Sequence, residues 1–311
     1  MRIIFMGTPR FAVPSLSRLL SDGHDVAAVV TQPDRQSGRG RKLTQSPVKL
    51  LAIEKKLKVL QPPNVNLDAV VETLASLKPE LTVVVAYGAI LRKPLLELPS
   101  IGCINLHASL LPALRGVAPI NWAIIRGEKE TGVTTMWMTE KVDAGEIIFQ
   151  RRVPILDEET ASELEDRLSG IGSELLSRTL TAVREGNAPR QAQDHSMFSY
   201  APRLKKEDGV IDWEKDAQSL CNHIRGVTSW PGAQTTFRGE PLKILRAKVL
   251  EAESTHEPGT VLNVNEGGAI AAAAGRGSVL VITVQPPGKK PMNAVDFARG
   301  RRVRVGESFG T

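Results

Sequence analysis

Apolar residues in the first half of the chain come in short runs, and these runs alternate with stretches of helical spacing. RIIFM and DVAAVVT read as strands flanking PSLSRLLSDG, whose leucines recur on one helical face, a β-α-β start. Further strands are predicted at Leu57 to Gln61, Leu81 to Ala86, Gly102 to Leu106 and Val133 to Met138, with helical stretches between most of them. This alternation predicts an α/β fold: a Rossmann-like, doubly wound parallel sheet covered on both faces. A long helix from about Thr160 to Glu185 follows, closed by Gly186, Asn187 and Pro189.

Past that helix the pattern changes. The text from Pro189 to Gly209 is polar and irregular and reads as a linker, residues 189–209, after a first domain of residues 1–188. Residues 210–311 open on a short helix with Leu220, Ile224 and Val227 on one side. They continue as AQTTFRG, PLKILRAKVL, GTVLNVNEGG, AIAAAAGRG and SVLVITVQP, short strands broken by Gly and Pro. Such a series predicts a C-terminal OB-like β-barrel. The alanine run is helical by propensity, but Gly267, Gly268, Gly275 and Gly277 bracket it too tightly for a helix.

Length and composition agree with this division, since 311 residues with 41% hydrophobic content suit two buried cores. No segment approaches the roughly 20 apolar residues that span a bilayer, and the N-terminus reads as a first strand. The expectation is a cytoplasmic chain, monomeric by default, with no membrane contact and no stable protein partner. Cys103 and Cys221 lie far apart without CxxC spacing, which predicts buried reduced thiols, and no His or Cys cluster suits a metal. Charge does change the picture. Between Asp34 and Lys58 eight basic residues face two acidic ones, a net of +6 that equals the net charge of the whole chain. A charge gathered in one segment suits a polyanionic partner, although on charge alone a solvated face explains it as well.

Most familiar site signatures are missing. The turn after the first strand, GTPRF, lacks the GxGxxG pattern, no GxxxxGK[ST] loop occurs, and Ser109 is not in a GxSxG elbow. Asn105 and His107 remain, two residues apart, so that a strand presents both on one face at its C-terminal end. With Asp143 they offer an amide, an imidazole and a carboxylate, a set able to stabilise the oxyanion of an acyl transfer. Spacing alone also allows ordinary strand-end hydrogen bonding and a plain DAG turn.

The strings GTPRFA, TQPDRQSGRGRKLTQSPVK, VVVAYGAIL, GCINLHASLLPALRGVAPINWAI, ETGVTTM, VDAGEI, IDW, SWPGA and QPPGKK run nearly end to end. In order and spacing they resemble the methionyl-tRNA formyltransferases. The resemblance implies transfer of a formyl group from N10-formyltetrahydrofolate to the α-amino group of methionyl initiator tRNA, for translation initiation. It places catalysis at Asn105, His107 and Asp143, and folate contacts at Ser109, Leu110, Leu111 and Pro112, with Tyr87, Gly88, Ile90 and Leu91 as pocket neighbours. It implies tRNA contacts in a basic loop through Arg35, Arg39, Arg41, Lys42 and Lys49. Lys243, Arg246, Lys248, Lys289, Lys290, Arg301, Arg302 and Arg304 of the barrel would extend that phosphate track. Rival readings are a formyltransferase for a nucleotide sugar or other small amine, a formyltetrahydrofolate hydrolase, and a non-enzymatic RNA-binding protein. The basic loop counts against the first, the order of domains against the second, and the catalytic set against the third.

Overall fold

Strand β1 (Arg2–Gly7) is buried along almost its whole length, with Ile3, Ile4, Phe5 and Met6 at 1% exposure or less. That is the condition of a central strand covered on both faces, and it explains an unbroken apolar run instead of an alternating one. The structure, a computed structural model, describes residues 1–37, 42–228 and 230–311; of Ser37 and Lys42 only the backbone is described. In chain order the elements of the first half are β1, α1 (Val13–Ser21), β2 (Asp25–Val30), β3 (Arg35–Ser37), β4 (Lys42–Thr44), α2 (Pro47–Glu54), β5 (Val59–Leu60) and α3 (Asp68–Ala75). There follow β6 (Leu81–Val85), α4 (Lys93–Leu96), β7 (Gly102–His107), β8 (Arg115–Gly116), α5 (Pro119–Ile125), β9 (Glu130–Trp137), β10 (Ile147–Pro154) and α6 (Ala161–Arg184).

Seven strands form one sheet in the order β10-β9-β7-β6-β1-β2-β5. From β7 to β5 all neighbours are parallel. β9 runs antiparallel to β7, pairing Thr134 with His107 and Trp137 with Ile104, so the Rossmann-like parallel sheet carries an antiparallel strand on this side. Strand direction is set by the connection, and the alternation of apolar residues does not carry it. Sequence order reverses between β1 and β6, the place where open α/β sheets leave a crevice beyond their carboxyl ends. There the Thr8 hydroxyl, just past β1, donates to the Tyr87 carbonyl, just past β6, at 3.0 Å.

The second half contains β11 (Tyr200–Ala201), α7 (Ala217–Gly226), β12 (Ala233–Phe237), β13 (Glu240–Leu250), β14 (Val261–Glu266), β15 (Ala269–Ala273), β16 (Ser278–Gln285), β17 (Met292–Asn293) and α8 (Ala294–Arg301). The chain divides into two compact units, residues 1–117, 131–153 and 165–201 in one, and residues 118–130, 154–164 and 202–311 in the other. Residues 118–130, which hold α5, thus cluster with the C-terminal strands despite their early place in the chain.

In the second unit the antiparallel order is β12-β13-β16-β15-β14, with β17 on β16. The alanine-rich β15 is a strand buried at every position, because the glycines beside it stop a helix and its small side chains suit a tight interior. The last residues stitch both outer strands of this sheet. Gly310 donates to the Thr236 carbonyl of β12 (2.9 Å), while Val261 of β14 donates to the Glu307 carbonyl (2.7 Å). Phe309 stacks on Trp213 with ring centroids 5.3 Å apart, and the indole donates to the Thr235 hydroxyl at 3.0 Å. The sequence RRVRVGESFGT, which carries little pattern of its own, therefore closes the barrel.

α7 starts at Asp216, whose carboxylate accepts from the Ser219 backbone N–H (3.0 Å) and hydroxyl (2.8 Å). The backbone bond above all, then the hydroxyl, holds this carboxyl below its ordinary value of 3.8. A depressed folded pKa stabilises the fold above the unfolded value, and the benefit disappears as pH falls through the folded one. Asp216→Ala is expected to lower stability by about 1 kcal/mol at neutral pH. Denaturant midpoints should show the two proteins converging once the pH is well below 3.8.

Candidate active site

β7 ends in Asn105 and His107, two residues apart and so on the same face, 9% and 6% exposed. Among the described residues the Asn105 amide has no hydrogen-bond partner, although most of its surface is covered. With neither end of the amide bonded within the protein, and neither end sealed from solvent, the group is free to bond a ligand. The imidazole is held at one nitrogen and faces a carboxylate with the other. Nε2 lies 3.0 Å from the Leu114 carbonyl. A carbonyl only accepts, so this nitrogen carries the proton and Nδ1 the lone pair when the ring is neutral. Nδ1 faces Asp143 Oδ2 at 3.7 Å. In the neutral ring the Nε2 N–H is donated to Leu114 and the open edge is the one toward Asp143; the protonated His107 expected from the sequence would carry a second N–H at Nδ1.

Asp143 reaches this place through a backbone that suits few residues. Its φ is +49°, in the left-handed region that Asp tolerates better than most side chains. Its Oδ2 accepts from the Gly116 N–H at 2.8 Å. Two residues on, a Cβ at Gly145 would sit 1.7 Å from the Trp137 carbonyl oxygen, a contact no side chain survives. The DAG sequence therefore folds back tightly on β9, with the Trp137 N–H donating to the Glu146 carbonyl at 2.9 Å.

The apolar wall beside these groups is the loop after β7. The Ser109 hydroxyl is bonded inside its own loop, to the Ala113 carbonyl at 2.6 Å, and the residue is wholly buried. Thr134 on β9 donates to the Ser109 carbonyl (2.6 Å) and accepts from the Leu111 N–H (3.2 Å), and Gln150 donates to the Leu111 carbonyl (2.9 Å). Leu111 packs with Met136 and Ile147, leaving Leu110 and Pro112 partly exposed. Of the other predicted pocket residues, Tyr87 and Leu91 sit in a core cluster with Ile4, Met6, Val30, Val65 and Val84. Burial pushes the Tyr87 hydroxyl up to about 12, and among the described residues that hydroxyl has no hydrogen-bond partner. Gly88 and Ile90 are exposed, Ile90 at 64%.

The basic segment is described in part. β3 and β4 pair antiparallel, Arg35 opposite Thr44. Arg35 is exposed, whereas Arg39 and Arg41 lie outside the described residues and Lys42 is described only as backbone. Lys49 is ion-paired in the free protein, its ammonium 2.6 Å from Asp34 with both side chains about 15% exposed. The Gln61 amide, then Lys49, holds the Asp34 carboxyl below its ordinary value. In the second unit Arg246, Lys248 and Arg301 are likewise paired, with Glu163, Glu158 and Glu240. Lys243, Lys289, Lys290 and Arg302 have no ion pair among the described residues.

Sequence reasoning missed Arg115, Gln193, Thr134 and Gln150, all of which hold the site residues or their loops. Their side-chain partners lie as far as 80 residues away, and no local motif announces such a bond. Among the described residues no helix is long and apolar enough to cross a membrane, and no group of three metal-ligating side chains occurs.

Comparison with known proteins agrees with this geometry. The family model for "Formyl transferase" matches residues 1–180, and that for "Formyl transferase, C-terminal domain" matches residues 203–302. A methionyl-tRNA formyltransferase of Moorella thermoacetica is 49% identical over 310 residues, covering 100% of this chain and 99% of the relative. One from Clostridioides difficile is 44% identical with complete coverage of both chains. Among solved structures, the sugar 3N-formyl transferase WlaRD shares the fold with a TM-score of 0.68 at 18% identity, over 93% of this chain and 99% of that one. HypX from Aquifex aeolicus, solved with tetrahydrofolic acid, shares it with a TM-score of 0.63 at 20% identity, over 99% of this chain and 48% of that one. With close relatives matched along the whole length of both chains, the protein belongs to the methionyl-tRNA formyltransferase family.

Proposed function

We propose that this protein transfers the formyl group of N10-formyltetrahydrofolate to the α-amino group of methionine carried on initiator tRNA. The observation that carries the site assignment is the unpaired amide of Asn105, open to a ligand, beside an imidazole whose open nitrogen faces a carboxylate. The apolar Leu110 to Pro112 loop, pinned by Thr134 and Gln150, suits the flat heteroaromatic part of such a donor. The donor supplies an activated formyl group. Asn105 donates its amide N–H to the formyl oxygen as negative charge gathers there, a contact worth on the order of 3 kcal/mol of barrier. His107 Nδ1 takes one proton from the attacking amine as the new C–N bond forms. It returns that proton to the departing folate nitrogen as the old C–N bond breaks, so the ring ends as it began. Asp143 offsets the positive charge of the intervening imidazolium, and the Leu114 carbonyl fixes the ring plane.

On this reading Arg35, Arg39, Arg41 and Lys42 meet phosphates of the tRNA, with Lys243, Lys289, Lys290 and Arg302 as further contacts. The setting is the cytoplasm, where translation takes place. Incubation with donor and charged initiator tRNA should block the methionine α-amino group in step with donor consumption. Donor consumed with the amine left free would sink the proposal. Replacing Arg41 and Lys42 together by alanine should weaken tRNA binding and reduce its salt slope by about two charge units, and an unchanged slope would return the loop to a solvated face.

A further inference from the structure

The segment after α6, with the polar look of a linker, is built into the first unit. Gln193 is 7% exposed, and its amide uses both of its ends. Nε2 donates to the Asp143 carbonyl (3.0 Å) and the Gly145 carbonyl (2.7 Å). Oε1 accepts twice from Arg115, from Nε (3.1 Å) and from a terminal nitrogen (2.6 Å). That guanidinium also donates to His195 Nδ1 at 2.9 Å and lies 5.5 Å from the Phe198 ring centroid. The backbone completes the assembly. β8 and β11 pair in parallel, the Arg115 N–H donates to the Ser199 carbonyl (2.9 Å), and the Leu114 N–H donates to the Ser199 hydroxyl (2.9 Å). Leu114 is the residue whose carbonyl holds His107, and Gly116 is the one whose N–H holds Asp143. Burial lowers the Arg115 pKa while the charge of Asp143 raises it, so the two groups feel each other electrostatically.

We propose that Gln193 and Arg115 are positioning residues for Asp143: they brace the Asp143 to Gly145 turn so that its carboxylate faces His107. The inference rests on the catalytic reading given above. Neither residue touches the reacting atoms; Gln193 holds the turn by its carbonyls, and Arg115 holds Gln193. An aspartate with a left-handed backbone needs such support, since no strand or helix fixes it. A brace drawn from a segment 50 residues further along the chain also makes the site depend on how residues 193–201 are seated.

A double-mutant cycle on kcat tests this in the full-length protein. Gln193→Met keeps size and removes the hydrogen bonds; it should lower kcat about 10- to 30-fold, with KM for both substrates within about twofold. In the Asp143→Asn background the same substitution should lower kcat less than about twofold, because the group it positions no longer acts. Arg115→Lys keeps the charge but loses the planar fork, and should reproduce the pattern at about 3- to 10-fold should the methionine variant fold poorly. Equal factors in the two backgrounds, or an unchanged kcat for both variants, would overturn the inference alone. An unchanged kcat for Asp143→Asn itself would overturn the catalytic reading, and the inference with it.

Discussion

Asp143→Asn is expected to lower the rate of formyl transfer by about 10^3-fold, roughly 4 kcal/mol of barrier, while tRNA affinity stays within about twofold. Asparagine has the size of aspartate and its amide oxygen still accepts from the Gly116 N–H, so the turn keeps its shape. What disappears is the negative charge 3.7 Å from His107 Nδ1. Taking up the amine proton then leaves an imidazolium with no counter-charge in a site where His107 is only 6% exposed. Buried charge without a partner is expensive, and the cost falls on the transition state, where the ring takes up the proton. Single-turnover transfer and a separate equilibrium binding assay distinguish the two effects. A variant whose tRNA binding collapses while its single-turnover rate survives would move Asp143 out of the chemistry.

Gly145→Ala is the substitution with the largest expected effect on the fold of the first unit, at least about 3 kcal/mol by denaturant midpoint. An added Cβ would stand 1.7 Å from the Trp137 carbonyl oxygen and 2.9 Å from its carbon, and both belong to backbone that cannot rotate away. The β9–β10 connection has to open, and with it go the Gln193 bond to the Gly145 carbonyl and the placement of Asp143. Activity should therefore fall even in the folded fraction. The matching control in the second unit is Gly275→Ala, whose Cβ would meet the Glu214 carbonyl oxygen at 1.8 Å. It should cost stability to a similar extent without disturbing the 143–145 turn. A folded, fully active Gly145→Ala protein would show that the turn does not hold the site.

Much of this architecture can be read from residues alone, for identifiable reasons. Central strands such as β1 and β6 are buried on both faces, so their apolar runs are continuous and easily seen. The i, i+2 placement of Asn105 and His107 follows from the pleat of a strand, and the structure keeps it. The direction of β9 was not legible, because a strand reads the same in either direction. Strand β10, Ile147–Pro154, went unseen because three of its middle residues, Gln150, Arg151 and Arg152, are exposed and polar and break the apolar pattern. Tyr87 and Leu91 are pocket neighbours only by the resemblance; no local pattern in the sequence shows that their side chains join the core cluster with Ile4, Met6 and Val30. Lys49 illustrates a different limit: a lysine in a basic run looks free until Asp34, 15 residues earlier, is found against it. The Gln193 brace lies furthest from view, since its bonds join segments 48 to 78 residues apart and its own neighbourhood, QAQDHS, has no periodicity. The C-terminal segment Ser308 to Gly310 escapes for the same reason, as its partners at 236 and 259–261 are chosen by barrel closure.

The most direct measurement is transfer of labelled formyl from N10-formyltetrahydrofolate with four acceptors in parallel: charged initiator tRNA, charged elongator methionyl-tRNA, an amino-sugar nucleotide, and water alone. The account predicts label on the methionine of the initiator tRNA at a rate at least about 10^2 above the other three, a difference near 2.7 kcal/mol. Label on the amino sugar, or its release as formate, at a rate matching or exceeding that on initiator tRNA would contradict it.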